Sequence, residues 1–185
     1  PAYKIASFEL LDLPLIKYVA KTQKPLIIST GMSSESEISE AIETVLSVGN
    51  ENLIILHCIS SYPTPPEKYN LRRIEYLKKR FRLITGLSDH TMGTTTSVAA
   101  VALGASVIEK HFTLSRLDKG PDAEFSLEPS EFHRLCEDTR QAWFSLGKEE
   151  FNRDLTEIES KDLRRSIYFI KDKKAGEYIS ENDIK

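Results

Sequence analysis

Five short runs rich in β-branched residues punctuate the chain, and their spacing restricts its fold more than any other feature. They read YKIAS (3–7), PLIIST (25–30), LIILHC (53–58), FRLITGL (81–87) and SVIEKHF (106–112), so successive starts lie 22, 28, 28 and 25 residues apart. A strand, a helix and two loops fill about that length, the repeat of a βα unit. The intervening segments agree. Ser34-x-x-Glu37 has the form of a capping box before a helix carrying Ile38, Ala41, Ile42 and Val45, and Gly49 stands where a C-cap glycine belongs. A last helix is expected from about Pro129, with Phe132, Leu135, Ala142 and Leu146 on one stripe and Gly147 at its end. Nearly continuous apolar strands separated by helices require a parallel sheet covered on both faces. A doubly wound open sheet and a (β/α)8 barrel both meet that requirement. No run ends in a GxGxxG or GxxxxGK[ST] loop, which weakens the nucleotide-binding open sheet.

What the runs end in carries chemistry. Lys4, Ser7 and Glu9 close the first, Ser29 and Thr30 the second, and Ser60, Ser61 and Tyr62 follow the third. Ser88, Asp89 and His90 follow the fourth, and Glu109, Lys110 and His111 lie at the end of the fifth. Polar side chains at the C-terminal ends of strands are where barrel enzymes assemble their sites, and five tips in succession favour that reading over ordinary loop polarity. Composition narrows the ligand. With 185 residues, 40% hydrophobic, the chain can bury a sizeable core, while a net charge of -3 supplies no basic field for nucleic acid or an anionic membrane. No apolar run approaches the ~20 residues of a membrane span. Cys58 and Cys136 form no metal-type or CxxC spacing and read as reduced thiols. A cytoplasmic protein is the expectation. Domain boundaries are expected at 1–150 for the strand-and-helix unit, 151–164 for a charged linker and 165–185 for the start of a second, β-rich unit.

Two histidines on neighbouring parallel strand tips, His90 and His111, can share a metal ion, since imidazole suits Zn, Mn or Fe and leaves positions open for substrate oxygens. Strand side chains alternate, so Glu109 and His111 share a face and Lys110 points the other way. A hydrogen-bonded imidazole near the sheet end is the alternative for any one of them, and the expectation for His57 and for His133 in the last helix.

YKIASFE, IISTGM, LHCxSxYPTP, GLSDHT, IEKHFT and GPD occur here in the order and approximate spacing of the sialic acid synthase family, which the chain resembles over essentially its whole length. The 21-residue separation of His90 from His111 matches the family's metal-binding pair. The resemblance implies a (β/α)8 barrel followed by a small antifreeze-like (SAF) domain, with this chain forming barrel strands four to eight, inside a larger protein, and the opening KKAGEYISENDI of that domain. It implies condensation of phosphoenolpyruvate with an N-acetylated amino-sugar aldose to a nine-carbon nonulosonic acid. His90 and His111 would hold a divalent ion, Mn or Mg. Lys4, Ser7, Ser29 and Ser88 would cradle the phosphate and carboxylate, and Tyr62, Glu9, Glu109 and Asp122 would hold or protonate the sugar. Ser60 departs from the asparagine of the sialic acid members, which puts that phosphate contact in question. Asp89 would orient an imidazole from behind.

Within the family, KIASFE and the AEFSL after GPD read closer to the pseudaminic branch than to the N-acetylneuraminate or legionaminate branches. Phe8 would offer an apolar surface to a 6-deoxy sugar; otherwise it packs beneath the first helix. The family also implies a homodimer in which an arginine beyond Lys185 reaches the partner's site. The heptulosonate synthases share the ingredients, but YPTP and SDH fit them poorly. A non-catalytic carbohydrate-binding fragment is the other alternative, which a two-histidine metal site beside a phosphate lysine disfavours.

Overall fold

The computed structural model describes residues 1–151 and 154–185. Two units divide the chain, Pro1–Gly147 and Lys148–Lys185. Residues 152 and 153 of the expected linker lie outside the described residues.

In the first unit the βα alternation is realised strand by strand: β1 (Tyr3–Ile5), α1 (Leu13–Ala20), β2 (Leu26–Ser29), α2 (Glu35–Leu46), β3 (Leu53–Cys58), α3 (Arg72–Phe81), β4 (Ile84–Asp89), α4 (Thr95–Ala102), β5 (Ile108–Lys110) and α5 (Pro129–Ser145). The capping box forms as expected: the Ser34 and Glu37 backbone amides donate to Glu37 Oε2 and Ser34 Oγ at 2.7 and 3.3 Å. Past the end of α2, Gly49 takes φ 75°. The fourth run is read differently by the structure. Its Phe81 completes α3, whose Ile74 and Leu77 are buried, and Arg82 closes that helix in the left-handed region at φ 55°. β4 therefore begins three residues later and runs through Ser88 and Asp89. The fifth run forms a regular ladder only over Ile108–Lys110; His111 beyond it is held by its carbonyl, which accepts from Leu127 N–H at 2.9 Å.

All five strands are parallel, in the order β1-β2-β3-β4-β5. A doubly wound sheet reverses its strand order at a switch point, whereas this order never reverses. The helices decide the matter independently. Ile5, Ile28, Ile55 and Leu87 share one parity of the register and pack with Ile16, Ile38, Ala41, Val45, Ile74, Leu77 and Ala100 of α1 to α4. Those helices thus cover one face only, as on the outside of a barrel, and the sheet is a curled half-barrel. Of the two expected architectures, the one-sided helices favour the barrel. The opposite parity forms the inner face: Lys4, Ile27, Ser29, Ile54, Leu56, Cys58, Ile84, Gly86, Ser88 and Glu109. Gly86 is obligatory there, because a Cβ would sit 2.2 Å from the Val107 carbonyl oxygen and 2.7 Å from Leu56.

The second unit contains a short helix at Leu155–Glu159 and one antiparallel bridge, Phe169 to Ile184, flanked by Tyr168 and Lys185 exchanging backbone hydrogen bonds at 2.9 Å. A single bridge replaces the expected β-rich character among the described residues. Asp183 pins it: Lys173 Nζ lies 2.8 Å from its carboxylate and Ser180 Oγ donates at 2.7 Å, and both hold the carboxyl well below the usual range. Among the described residues no helix is long and apolar enough to cross a membrane.

Candidate active site

The inner face carries polar groups at its C-terminal rim because the last inward-pointing residue of four of the strands is Lys4, Ser29, Ser88 or Glu109. Ser88 of β4 stands in register with Cys58 of β3 and Glu109 of β5, and its hydroxyl donates to Glu109 Oε1 at 2.7 Å. Lys4 Nζ approaches the same carboxylate oxygen at 3.7 Å and donates to its neighbour's carbonyl, Ile5 O, at 2.9 Å. Two residues on from Ser88, His90 points the same way, with Nε2 3.4 Å from Ser88 Oγ. Lys4, Glu109, Ser88 and His90 are therefore consecutive members of one cluster.

His90 and His111 come together edge to face, ring centroids 5.3 Å apart and planes at 74°. Tyr62 stacks on His90 at 4.3 Å, and Phe125 closes the far side of His111 at 5.0 Å. Asp122 Oδ2 lies 3.6 Å from His111 Nδ1. His90 Nδ1 donates to the Ile59 carbonyl at 2.8 Å, which assigns the proton to Nδ1 and leaves the Nε2 lone pair facing the site. Burial holds this imidazole below its ordinary range, so it is neutral at physiological pH. A neutral ring with a free lone pair, fixed by a carbonyl behind, is donor chemistry that suits a divalent cation, and His90 supplies it. Among the described residues no group of three or more His, Cys, Asp or Glu is arranged to enclose an ion, so the pair would form an open site, not a cage.

A second, adjoining cluster has the opposite character. Ser7 Oγ accepts from Gly31 N–H at 3.0 Å and donates to Cys58 Sγ at 3.4 Å. The Ser29 and Ser60 hydroxyls are buried without any hydrogen-bond partner. Gly31 lies against Ser7 and Ser60, where a Cβ would stand 2.3 Å from Ser60 Oγ and 2.7 Å from Ser7 Oγ and would displace both hydroxyls. Buried hydroxyls are normally satisfied, so Ser29 and Ser60 are two donors that lack an acceptor, on the same sheet rim as Lys4. Burial, above all, holds the nearby Tyr62 phenol above its ordinary range.

Three expectations are corrected. Asp89 does not back an imidazole: it lies on the helix-facing parity, ion-paired with Lys110 at 3.0 Å, both side chains essentially inaccessible, and accepts from Thr91 and Ser97. The Ile59 carbonyl orients His90 in its place. Phe8 is 69% exposed and does not pack beneath α1. His133 is exposed on α5 beside Glu137 at 3.3 Å, away from any sheet end. By contrast, His57 is the buried, hydrogen-bonded imidazole expected, 2.7 Å from the Tyr69 carbonyl. Glu9 is the one candidate whose carboxylate the structure engages locally, accepting from Ala6 N–H at 2.9 Å within its own 3-10 turn.

The NeuB family matches residues 1–151. The chain belongs to the NeuB family. It is 43% identical over 184 residues to pseudaminic acid synthase of Campylobacter jejuni, covering 100% of this chain and 54% of that protein. It is 42% identical over 187 residues to N,N'-diacetyllegionaminic acid synthase of the same species, covering 98% and 55%. The crystal structure of N-acetylneuraminic acid (sialic acid) synthetase from Leptospira borgpetersenii in complex with citrate superposes with a TM-score of 0.81 at 35% identity, over 88% of this chain and 57% of that one. The chain therefore spans about half the length of the NeuB relatives it matches.

Sequence reasoning missed four residues of this candidate site and its surroundings. Gly31 was signalled by its place after Ser29 and Thr30. Cys58 was visible only as the last residue of an apolar run. Phe125 was noted for its segment but not as a neighbour of His111. Tyr69, between the YPTP loop and α3, carried no signal at all.

Proposed function

We propose that the protein carrying this chain condenses phosphoenolpyruvate with an N-acetylated amino-sugar aldose to form a nine-carbon nonulosonic acid, as a pseudaminic acid synthase. In this reading the five strands are strands four to eight of a (β/α)8 barrel, and residues 165–185 open an antifreeze-like domain. The observation that carries it is the adjacency of two unlike clusters on one strand rim: hydroxyls without an acceptor and a lysine in one, and in the other the His90 and His111 rings, with the Nε2 lone pair of His90 facing the site. Phosphoenolpyruvate is a trianion and needs a cation and several donors. Lys4, Ser7, Ser29, Ser60 and the backbone at Gly31 provide them. His90 and His111 would hold Mn or Mg, which when bound polarises the open-chain aldehyde. Glu109 and Asp122 flank the imidazoles and accept from sugar hydroxyls, with Tyr62 forming the wall; Glu9 lies at the rim. Joining C3 of phosphoenolpyruvate to the aldehyde carbon, with water adding at C2 and the C2–O bond breaking to release inorganic phosphate, depends on orientation above all, and two substrates fixed on one strand rim provide it.

Phe8, exposed at the tip of β1, supports the pseudaminic branch, because an apolar wall suits a 6-methyl group and leaves a 6-hydroxyl unpartnered. Such a mismatch is worth about 1 to 3 kcal/mol. Legionaminate or N-acetylneuraminate synthesis is the second reading, favoured by the near-equal identities of 43% and 42% to the two Campylobacter synthases. The test is a competition in the full-length protein, at fixed phosphoenolpyruvate and Mn²⁺, between 2,4-diacetamido-2,4,6-trideoxy hexose and N-acetylmannosamine. Preference for the trideoxy sugar is expected, with turnover abolished by a chelator. A clear preference for N-acetylmannosamine moves the protein to the sialic acid branch, and turnover indifferent to the chelator removes the metal from the scheme.

A further inference from the structure

β4 runs out of strand neighbours just where its most demanding side chain stands. Its ladder to β3 closes at Cys58–Ser88 and its ladder to β5 at Asp89–Lys110. Leu87 turns its N–H toward β5, donating to the Val107 carbonyl at 2.8 Å, so by alternation Ser88 and His90 turn their backbone groups toward β3. There β3 has already left the sheet. A buried carbonyl at Ser88 and a buried N–H at His90 would be left without partners, which native structures avoid.

The side chain of Tyr69 stands in that gap. Its hydroxyl donates to the Ser88 carbonyl and accepts from His90 N–H, the latter at 3.0 Å. These two bonds are the pair that a further residue of β3 would have made. Tyr69 is 1% exposed and is itself tethered: its carbonyl accepts from His57 Nε2 at 2.7 Å, and the His57 ring meets its ring edge-on at 5.8 Å. A continuous path thus leads from β3, through His57 and Tyr69, to the two residues of β4 that face the site.

We propose that Tyr69 is a positioning residue: its hydroxyl acts as the last rung of β4 and holds Ser88 and His90 in place against Glu109 and His111. The consequence for ion binding rests on the reading of His90 and His111 as a metal pair; the rung itself does not. Simple space-filling would be served equally by phenylalanine, so Tyr69→Phe separates the two roles. In the full-length protein, titration calorimetry with Mn²⁺ is expected to show a 10- to 100-fold loss of affinity in Tyr69→Phe, the usual effect of removing a group behind a metal ligand. The His90 amide, followed by NMR hydrogen exchange, is expected to be as protected as that of Leu87 in the parent and to exchange at least tenfold faster in the variant. A folded Tyr69→Phe with Mn²⁺ affinity within twofold of the parent and an equally protected His90 amide overturns the proposal. If the parent binds no Mn²⁺, the metal reading fails and the amide comparison alone decides Tyr69. If the variant does not fold, the parent decides it: a His90 amide exchanging like an exposed one overturns the rung.

Discussion

Lys4 lies 3.7 Å from Glu109 Oε1, on the inner face that also carries Ser29, whose hydroxyl like that of Ser60 lacks an acceptor. An anion arriving on that face offers the ammonium a better partner than a carboxylate already bonded to Ser88. Lys4→Met removes one charge-assisted contact, worth roughly 1.5 to 3 kcal/mol. The expected outcome is a KM for phosphoenolpyruvate raised about 10- to 100-fold with the aldose KM little changed, measured by initial rates in the full-length protein. Equal increases for both substrates would make Lys4 a brace for Glu109 and no more. Residues of this kind were legible in the sequence because they are polar side chains abutting apolar runs, and period-two alternation then assigned Glu109 and His111 to one face and Lys110 to the other. Asp89 was misread for want of the same test: as the residue between Ser88 and His90 it had to point away from both.

At the scale of elements, β4 and β5 are joined at their tips by the Asp89–Lys110 pair, which sits behind the sheet while Ser88, His90 and Glu109 occupy its front. Burial pushes the Lys110 ammonium below its ordinary range and the Asp89 carboxylate pulls it back. Lys110→Met leaves Asp89 with its bonds from Thr91 and Ser97 but without a countercharge, and breaking a buried pair in this way costs about 3 to 5 kcal/mol. Denaturant unfolding of the full-length protein is expected to show a loss of that order in the single variant. Adding Asp89→Asn should restore much of it, because the uncompensated charge is removed while hydrogen bonding to Thr91 and Ser97 can persist. No recovery in the double variant would mean that the lysine stem, not the charge, is what matters. Element existence was readable from spacing and caps; the start of β4 was not, because Phe81, Leu83 and Ile84 are apolar in series and the helix claims the first of them. The turn to a left-handed Arg82 has no marker of the glycine kind.

The whole first unit is an arc of five strands with helices outside, and its NeuB relatives are nearly twice the length of the chain. On the proposed reading, the remaining barrel strands close the inner face and complete the substrate pocket. The 185-residue chain by itself is therefore expected to show no condensation of phosphoenolpyruvate with either aldose, and detectable turnover by it alone would end the half-barrel account of the site. The sequence could not choose between an open doubly wound sheet and a barrel, since both repeat at the same interval. Strand order and the one-sided helices made that choice, and both are relations between elements that no single run contains. The segregation of the two faces has a further consequence for how such a protein can change. Each strand carries its chemistry on one parity and its anchorage on the other, so mutations that retune the substrate fall on residues the hydrophobic core does not use. On the proposed reading, selectivity for one sugar or another can then drift at Ser60 or Phe8 while the scaffold stays under separate selection, which makes this arrangement well suited to generating a range of related activities from one framework.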